Sequence, residues 1–316
     1  MKKVFLILLV LVFMLNACAT KSQNETANLN EDQGLKVIVS IPPLQWLVEQ
    51  IGGDLVQVQS LTVSGDDPHS YEPSPAQMTA VSQANLYLAI QIEFEEVWIP
   101  RFQSNNKDLV VSDISEGIER INMPESLTED KEHDHEEHEE HEHNEHDEHE
   151  HHHDGLDPHV WLSPSGMKQL AIKAAEALKL ADPDNVATYA SNLEAFLRKI
   201  SSVEEQLNAM LANPARQQFL IVHPSLGYFA NEYNLIMLPV EVDGQEPTPA
   251  QMAALLSASQ EYGIHTLFVQ QGSNIASATA LADQAGIETI VEFDPLAFDW
   301  EANLLKIGQS LQKALN

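Results

Sequence analysis

The chain has 316 residues, of which 43% are hydrophobic, so it is long enough to form two lobes with apolar cores. Its formal net charge of -32 at pH 7 argues against nucleic acid as a partner and against electrostatic docking on anionic lipid, because like charges repel. The same acidity suits a cation as ligand, although an acidic surface is also a common means of staying soluble.

The start of the chain has the pattern of a signal peptide. Two lysines precede an apolar run over 4–15, which is shorter than the roughly 20 residues of a membrane-spanning helix. Cys18, the only cysteine, follows this run and resembles the acylated cysteine of a bacterial lipobox. We expect residues 1–17 to be removed, a lipid on Cys18 to be the only membrane attachment of an exported protein, and residues 18–34 to form a flexible leash. The alternative is an ordinary secretory signal with an incidental Cys18.

After the leash, short β-branched runs alternate with helical patterns. These runs are apolar on both faces and lie too far apart for hairpins, so they predict a parallel sheet covered by helices. We expect this sheet to form an N-terminal metal-binding lobe over 35–181. The predicted strands are 35–40, 55–63, 86–92 and 109–113.

Residues 129–154 interrupt this lobe with almost nothing but Glu, Asp and His. The segment contains no apolar residue, so no core can form and we expect a disordered loop. It holds ten of the fourteen histidines. Because imidazole binds Zn²⁺ well, we interpret it as an auxiliary set of weak zinc sites, with a merely solvated tether as the alternative. Its histidines are His133, His135, His138, His141, His143, His146, His149, His151, His152 and His153.

Residues 182–213 predict one long linking helix. Apolar residues recur there at steps of three or four, between Pro183 at the start and Pro214 after the end. A helix over 183–212 would reach about 45 Å, enough to run along two lobes as a rigid support. The alternative is a dimerising coiled coil, but we expect a monomer.

A second set of apolar runs predicts a C-terminal metal-binding lobe over 214–316. Its expected strands are 219–223, 235–240, 265–269 and 288–293. The predicted fold class is therefore α/β, with two (β/α) lobes that contain parallel four-stranded sheets and are joined by one long, rigid helix.

Four histidines lie outside the 129–154 insertion. Three of them stand at or near the end of a predicted element: His69 after the second strand, His159 ahead of a helix, and His223 at the end of the fifth strand. Asp294 follows the last strand. Because ligands of open parallel sheets gather outside the carboxyl ends of strands, these four side chains predict a tetrahedral Zn²⁺ site in the cleft between the lobes. His265 opens a strand and is interpreted as structural.

Several ordered motifs resemble the ZnuA-type metal-binding proteins of bacterial ABC transporters. They are DPHSYEPSP, DPHVWLSP, VHPSLGYFANEYNL, EPTPAQMAALLSASQEYGIHTLFVQ and the late FDPL. The resemblance runs from about residue 35 to the end of the chain. It implies two (β/α) lobes joined by one long helix, with a single metal at their interface.

Carried onto this sequence, the resemblance assigns the metal ligands to His69, His159, His223 and Asp294. Manganese-binding relatives generally have Glu at the third position, where this chain has His223, so we expect Zn²⁺ and keep a manganese-binding member as the alternative. In zinc members the carboxylate can give way to water or to an acid beside the first histidine. The resemblance implies a protein that captures Zn²⁺ outside the cytoplasm and delivers it to the membrane permease of an ABC importer.

We predict no catalytic residue. The rival from another class is a zinc hydrolase, for which Glu72 or Glu241 could be imagined as general base, but no HExxH-like spacing occurs outside the low-complexity 129–154 insertion. A surface adhesin with an incidental metal is a third interpretation.

Overall fold

The computed structural model describes residues 34–124, 155–241 and 248–316. The signal peptide, Cys18 and the ten histidines of the 129–154 insertion lie outside these residues, so the expectations about them stay predictions. Within the described residues, no helix combines the length and the apolar character that crossing a bilayer requires.

Two parallel four-stranded sheets form the two lobes, which confirms the predicted fold class. Strands β1 to β4 are Leu35–Val39, Val56–Ser60, Leu86–Ala89 and Val110–Asp113, in the order β2-β1-β3-β4. Strands β5 to β8 are Gln218–Ile221, Ile236–Pro239, Thr266–Gln270 and Thr289–Phe293, in the order β6-β5-β7-β8. Most of the predicted runs are longer than the strands, because the chain leaves each sheet to form the loops at its carboxyl edge.

The α-helices that connect and cover these strands begin and end at recognisable signals. The helix Pro75–Ser82 starts with a capping box between Ser74 and Gln77, and the helix Pro249–Tyr262 with one between Thr248 and Gln251. The second of these helices ends at Gly263 in the left-handed conformation. The helices α1 to α9 are Pro42–Gly52, Pro75–Ser82, Glu93–Asn105, Pro164–Ala181, Val186–Met210, Gly227–Glu232, Pro249–Tyr262, Ile275–Ala285 and Trp300–Leu315.

Helix α5 occupies most of the range predicted for the linking helix. It begins at Val186, because Pro183–Asn185 forms a separate 3-10 turn, and it ends at Met210. It packs against α1 of the first lobe and against α9 of the second. Where α9 crosses it, a Cβ on Gly308 would lie 2.3 Å from Leu207 Cδ2, so the two helices are in close contact.

A continuous apolar cluster joins the lobes through this helix. Trp46 of α1 packs on Phe196 of α5, with ring centroids 5.2 Å apart, and on Trp300 of α9, at 5.9 Å. The Trp300 indole donates a hydrogen bond of 2.6 Å to the carbonyl of Trp161, whose own indole donates to Pro295 O at 2.9 Å. A wide movement between the lobes would separate these close-packed rings, so we expect the lobes to keep a nearly fixed relation.

Candidate metal centre

Three histidines from three different loops come together between the sheets. His69 lies in the loop from β2 to α2, His159 immediately precedes the 3-10 turn Val160–Leu162, and His223 follows β5. Their ring centroids form a nearly equilateral triangle with sides of 5.3 to 5.4 Å. Each ring offers one ligand atom, and these atoms lie within 4.8 Å of one another. In the part of the chain that the structure describes, this is the one group of three or more His, Cys, Asp or Glu side chains placed to share a metal ion.

An Asp-Pro-His sequence, which occurs twice, sets the backbone of two of these histidines. Asp67 Oδ1 accepts a hydrogen bond of 3.0 Å from the amide of His69, and Asp157 Oδ1 accepts one of 2.8 Å from the amide of His159. The intervening proline restricts φ and donates no hydrogen bond, so both tripeptides favour this local turn. Each histidine is therefore fixed at its backbone by an aspartate two residues earlier.

The imidazole of His159 is oriented by the same Asp157. Its Nδ1 lies 2.8 Å from Asp157 Oδ1, and the two side chains are only 2% and 0% exposed. Because a carboxylate can only accept, Nδ1 carries the proton and Nε2 keeps its lone pair. This is the form in which a histidine with an acidic partner binds a metal through Nε2.

Glu93, the first residue of α3, orients His69 in the same way. Its Oε2 lies 2.7 Å from His69 Nδ1, which leaves Nε2 as the atom that can bind a cation. Burial disfavours charge on both groups, but their hydrogen bond and opposite charges outweigh it. The pKa of Glu93 consequently falls to about 2, and the pKa of His69 is raised above its ordinary value.

His223 completes the triangle as a neutral ring. Burial, together with the positive charges that His159 and His69 can carry, lowers its pKa to about 3. Its Nε2 and that of His69 are buried and have no hydrogen-bond partner. A buried polar atom without a partner costs about 1 to 3 kcal/mol, and a cation bound between the rings would relieve this cost. The donor set therefore fits a metal ion that prefers nitrogen ligands.

Asp294 directly follows β8 and lies outside the group formed by the three histidines. Its Oδ2 accepts a hydrogen bond of 2.5 Å from Ser64 Oγ, and its Oδ1 accepts one of 2.8 Å from the amide of Leu296. Ser64 belongs to the loop that carries His69, so this contact connects the two lobes. The role of Asp294 as fourth ligand stays a prediction.

The two carboxylates that orient the rings were not among the site residues predicted from the sequence. The sequence contained a hint for Asp157, because Asp157 and His159 repeat the Asp-Pro-His tripeptide that ends at His69. Glu93 carried none, since it lies 24 residues from His69 and only the fold brings them together. His265 lies outside the histidine group, and its carbonyl accepts two backbone amides at the start of β8.

Comparison with known proteins identifies relatives of this chain. The profile of the family described as "Zinc-uptake complex component A periplasmic", ZnuA, matches residues 37–306. The chain is 30% identical over 280 residues to the "High-affinity zinc uptake system protein ZnuA" of Bacillus subtilis (strain 168), a match that covers 87% of this chain and 82% of the relative. It is also 25% identical over 292 residues to the "Manganese-binding lipoprotein MntA" of Halalkalibacterium halodurans, with 91% and 88% covered.

Solved structures show the same architecture. A crystal structure of an internal-deletion mutant of ZnuA with zinc bound superposes with a TM-score of 0.77 and 34% sequence identity, over 90% of this chain and 98% of that one. The family profile spans most of the chain and both lobes. The chain belongs to the ZnuA family of metal-binding proteins of bacterial ABC transporters.

Proposed function

We propose that this protein captures one Zn²⁺ ion outside the cytoplasm and delivers it to the membrane permease of an ABC importer, without catalysing a reaction. The observation that carries this proposal is the convergence of His69, His159 and His223, whose ligand atoms lie within 4.8 Å of one another. The zinc-uptake relative, 30% identical over most of both chains, supports the same cargo.

Zinc is the favoured cargo because the ligands are imidazoles. Three neutral nitrogens suit a borderline ion such as Zn²⁺, whereas Mn²⁺ is better served by carboxylate, carbonyl and water oxygens. The manganese-binding relative MntA, at 25% identity, is the observation that favours the alternative cargo. Direct competition between the two ions distinguishes them.

The chain's own residues prepare the site before the ion arrives. Glu93 and Asp157 hold the Nδ1 protons of two rings, so the corresponding Nε2 atoms keep their lone pairs. The charges of these carboxylates also offset part of the charge of the incoming cation. Because the lobes share a continuous apolar core, we propose that release needs contact with the permease and not a wide opening of the cleft.

Asp294 is our proposed fourth ligand, with water as the alternative. It follows the last strand of the second lobe, and its carboxylate already faces the loop that carries His69. To bind the ion, Asp294 Oδ2 would give up its hydrogen bond with the hydroxyl of Ser64 and contact the metal instead. A carboxylate would neutralise one charge of Zn²⁺ and complete a four-coordinate site.

Cys18 and the 129–154 insertion have further proposed roles, in anchoring the protein and in holding additional zinc. We propose that a lipid on Cys18 anchors an exported, monomeric protein at the cell membrane or in the periplasm, and that the histidines of 129–154 hold further zinc ions weakly. Weak sites beside a tight one raise the local metal concentration. The lipoprotein name of MntA supports the anchor.

A zinc hydrolase is the less favoured function. The two carboxylates that contact the rings, Glu93 and Asp157, are bonded to Nδ1 atoms and so serve to orient ligands. Glu72, one imagined general base, is exposed, and neither it nor Glu241, the other, belongs to the described group of side chains placed to share a metal ion. Hydrolysis of an ester or peptide that disappears with His159→Ala would favour the enzyme.

Calorimetry on single-histidine variants tests the proposal. We expect His69→Ala, His159→Ala and His223→Ala each to weaken zinc binding at pH 7.5 by at least a hundredfold, since each removes one of the three shared ligands. His265→Ala is the matched control, and it should bind zinc as the unaltered protein does. Wild-type affinity in any of the first three variants would refute the shared site.

A further inference from the structure

Arg120 lies between the two backbone segments that supply the orienting carboxylates. Its Nη2 donates to the carbonyl of Ile90 at 2.7 Å and to Ser115 Oγ at 2.8 Å. Its Nη1 donates to the carbonyls of Asp157 and Pro158, both at 3.4 Å. A guanidinium presents five N–H donors in a rigid plane, so one side chain can hold several acceptors at once.

On one side, Arg120 holds the turn that precedes Glu93. The amides of Ile90 and Gln91 donate to the buried carboxylate of Glu95 at 3.0 and 2.7 Å, while the carbonyl of Ile90 accepts from Arg120. Gln91 has a φ of 60°, a left-handed conformation that a non-glycine residue keeps only where its surroundings enforce it. The turn is therefore fixed by hydrogen bonds to two amides and one carbonyl. These bonds also fix the start of α3, whose first residue is Glu93.

On the other side, Arg120 holds the backbone that carries Asp157. The carbonyl of Asp157 accepts from Tyr228 Oη at 3.0 Å as well as from Arg120, and its amide donates to Ile121 O at 2.8 Å. The carboxylate is held only at Oδ1, which contacts the amide and Nδ1 of His159, because Oδ2 is buried without a hydrogen-bond partner. The orientation of the Asp157 carboxylate toward His159 therefore depends on the position of the Asp157 backbone.

We propose that Arg120 is a positioning residue of the metal centre, which couples the orientation of His69 to that of His159. The inference rests on the proposed function, because it concerns the geometry of the same three-histidine site. A lysine at this position would keep the charge but lose the fork that bridges the two segments. Both imidazoles could then turn away from the shared ion. Loss of a partner that orients a metal ligand typically weakens binding about 10- to 100-fold.

The test compares Arg120→Lys with Arg216→Lys in the full chain. Arg216 is a matched control, because its guanidinium is also half-buried and also donates to a backbone carbonyl, that of Ala314 at 3.1 Å, but touches no part of the metal centre. We would measure the zinc Kd by competition with a chromophoric chelator, and the visible absorption spectrum of the Co²⁺-loaded protein as a readout of ligand geometry. Arg120→Lys should raise the Kd at least tenfold and alter the Co²⁺ spectrum, whereas Arg216→Lys should change neither.

Double variants separate coupling from general damage. Arg120→Lys combined with Glu93→Gln, and separately with Asp157→Asn, should each weaken zinc binding by less than the product of the single effects, because both changes act through the same contacts. Multiplicative effects in both pairs, or an Arg120→Lys protein that matches Arg216→Lys in Kd and in Co²⁺ spectrum, would overturn the inference.

The two proposals fail in distinguishable ways. If His159→Ala binds zinc as tightly as the unaltered protein, the three-histidine site itself is refuted. If His159→Ala loses zinc but Arg120→Lys does not, only the role of Arg120 is refuted. If Arg120→Lys does not fold, Ser115→Ala replaces it in the comparison with Arg216→Lys. This variant removes one acceptor of the guanidinium, so we expect a smaller rise in the zinc Kd.

Discussion

Ser64 and Asp294 join the two lobes through a hydrogen bond of 2.5 Å between the serine hydroxyl and the carboxylate Oδ2. The same loop makes a second close approach, since a Cβ on Gly272 would lie only 2.4 Å from the carbonyl oxygen of Gly65. Gly272 also has a φ of +92°, so glycine is needed there on both counts. The loop that carries His69 thus rests directly on the second lobe, and Asp294 is part of that contact.

We expect Asp294→Ala to weaken zinc binding at least tenfold, because a ligand and its negative charge would be lost. Ser64→Ala is the informative companion, since it removes the competing hydrogen bond and leaves the carboxylate free to reach the ion. It should bind zinc at least as tightly as the unaltered protein in the same calorimetric titration. Equal losses in the two variants would mean that Asp294 acts through the loop contact and not as a ligand.

The pH dependence of zinc binding should follow the ionisation of His69. The pKa of this ring is raised, so below that pKa the metal-free protein carries a proton that must leave before Nε2 can bind the ion. Affinity should therefore fall as the pH decreases, by about tenfold per pH unit for this one proton. His223, with a pKa of about 3, stays neutral and adds no slope over the same range.

Replacing Glu93 by Gln should shift this profile in a defined direction. Without the carboxylate the pKa of His69 falls, so proton competition should begin at lower pH, although the affinity at pH 7.5 should also decrease because the ring is held less firmly. Chelator competition between pH 5 and pH 8 measures both effects. An unshifted profile would show that the ionisation of another group controls binding.

Two glycine variants separate the metal centre from the general stability of the fold. A Cβ on Gly227 would lie 2.2 Å from Asp157 Oδ2, so Gly227→Ala should displace the carboxylate that orients His159 and raise the zinc Kd at least tenfold. Gly308→Ala meets the flexible end of Leu207 at 2.3 Å on the linking helix instead. Both should lower the free energy of unfolding by about 1 to 3 kcal/mol, measured by denaturant titration, but only the first should affect zinc. Loss of zinc affinity in Gly308→Ala as well would contradict this separation.

The lobes should move little when zinc binds. The rings of Trp46, Phe196 and Trp300 pack across α1, α5 and α9, and bending the continuous α5 would break its backbone hydrogen bonds. Distances between spin labels on exposed positions of the two lobes should therefore change by less than about 2 Å between metal-free and zinc-loaded protein. A larger closure would mean that the linking helix does not hold the lobes.

The sequence predicted the two sheets because their strands lie in short apolar runs that alternate with helical patterns. The central strand Leu86–Ala89 is buried throughout, whereas the edge strand Val56–Ser60 alternates between half-buried and exposed residues. His69, His159 and His223 stand at or near the ends of predicted elements. Because ligands of parallel sheets gather outside the carboxyl ends of strands, these positions predicted a site in the cleft. The start of the linking helix was less predictable, because Pro183 suits the first turn of an α-helix as well as the 3-10 turn that it forms.

Contacts between distant segments could not be predicted in this way. Nothing near Glu93 indicates that its carboxylate meets His69, and nothing near Arg120 indicates that its guanidinium reaches both Ile90 and Asp157. These pairings depend on how the loops at the sheet edge fold over one another, which is a tertiary property. The partner of Asp294 is a similar case, since Ser64 lies 230 residues away in the chain.

X-ray absorption at the zinc edge shows whether three imidazoles share one zinc ion. The protein lacking 129–154 and the full chain should first be dialysed until only tightly bound zinc remains. The zinc content of the two proteins is then compared, with and without Mn²⁺ as competitor. We expect one tight zinc per chain that Mn²⁺ does not displace, with three imidazole nitrogens at about 2.0 to 2.1 Å and one oxygen. Fewer than three imidazoles around the ion, or loss of the tight zinc on removal of the insertion, would contradict a tight zinc site built from His69, His159 and His223.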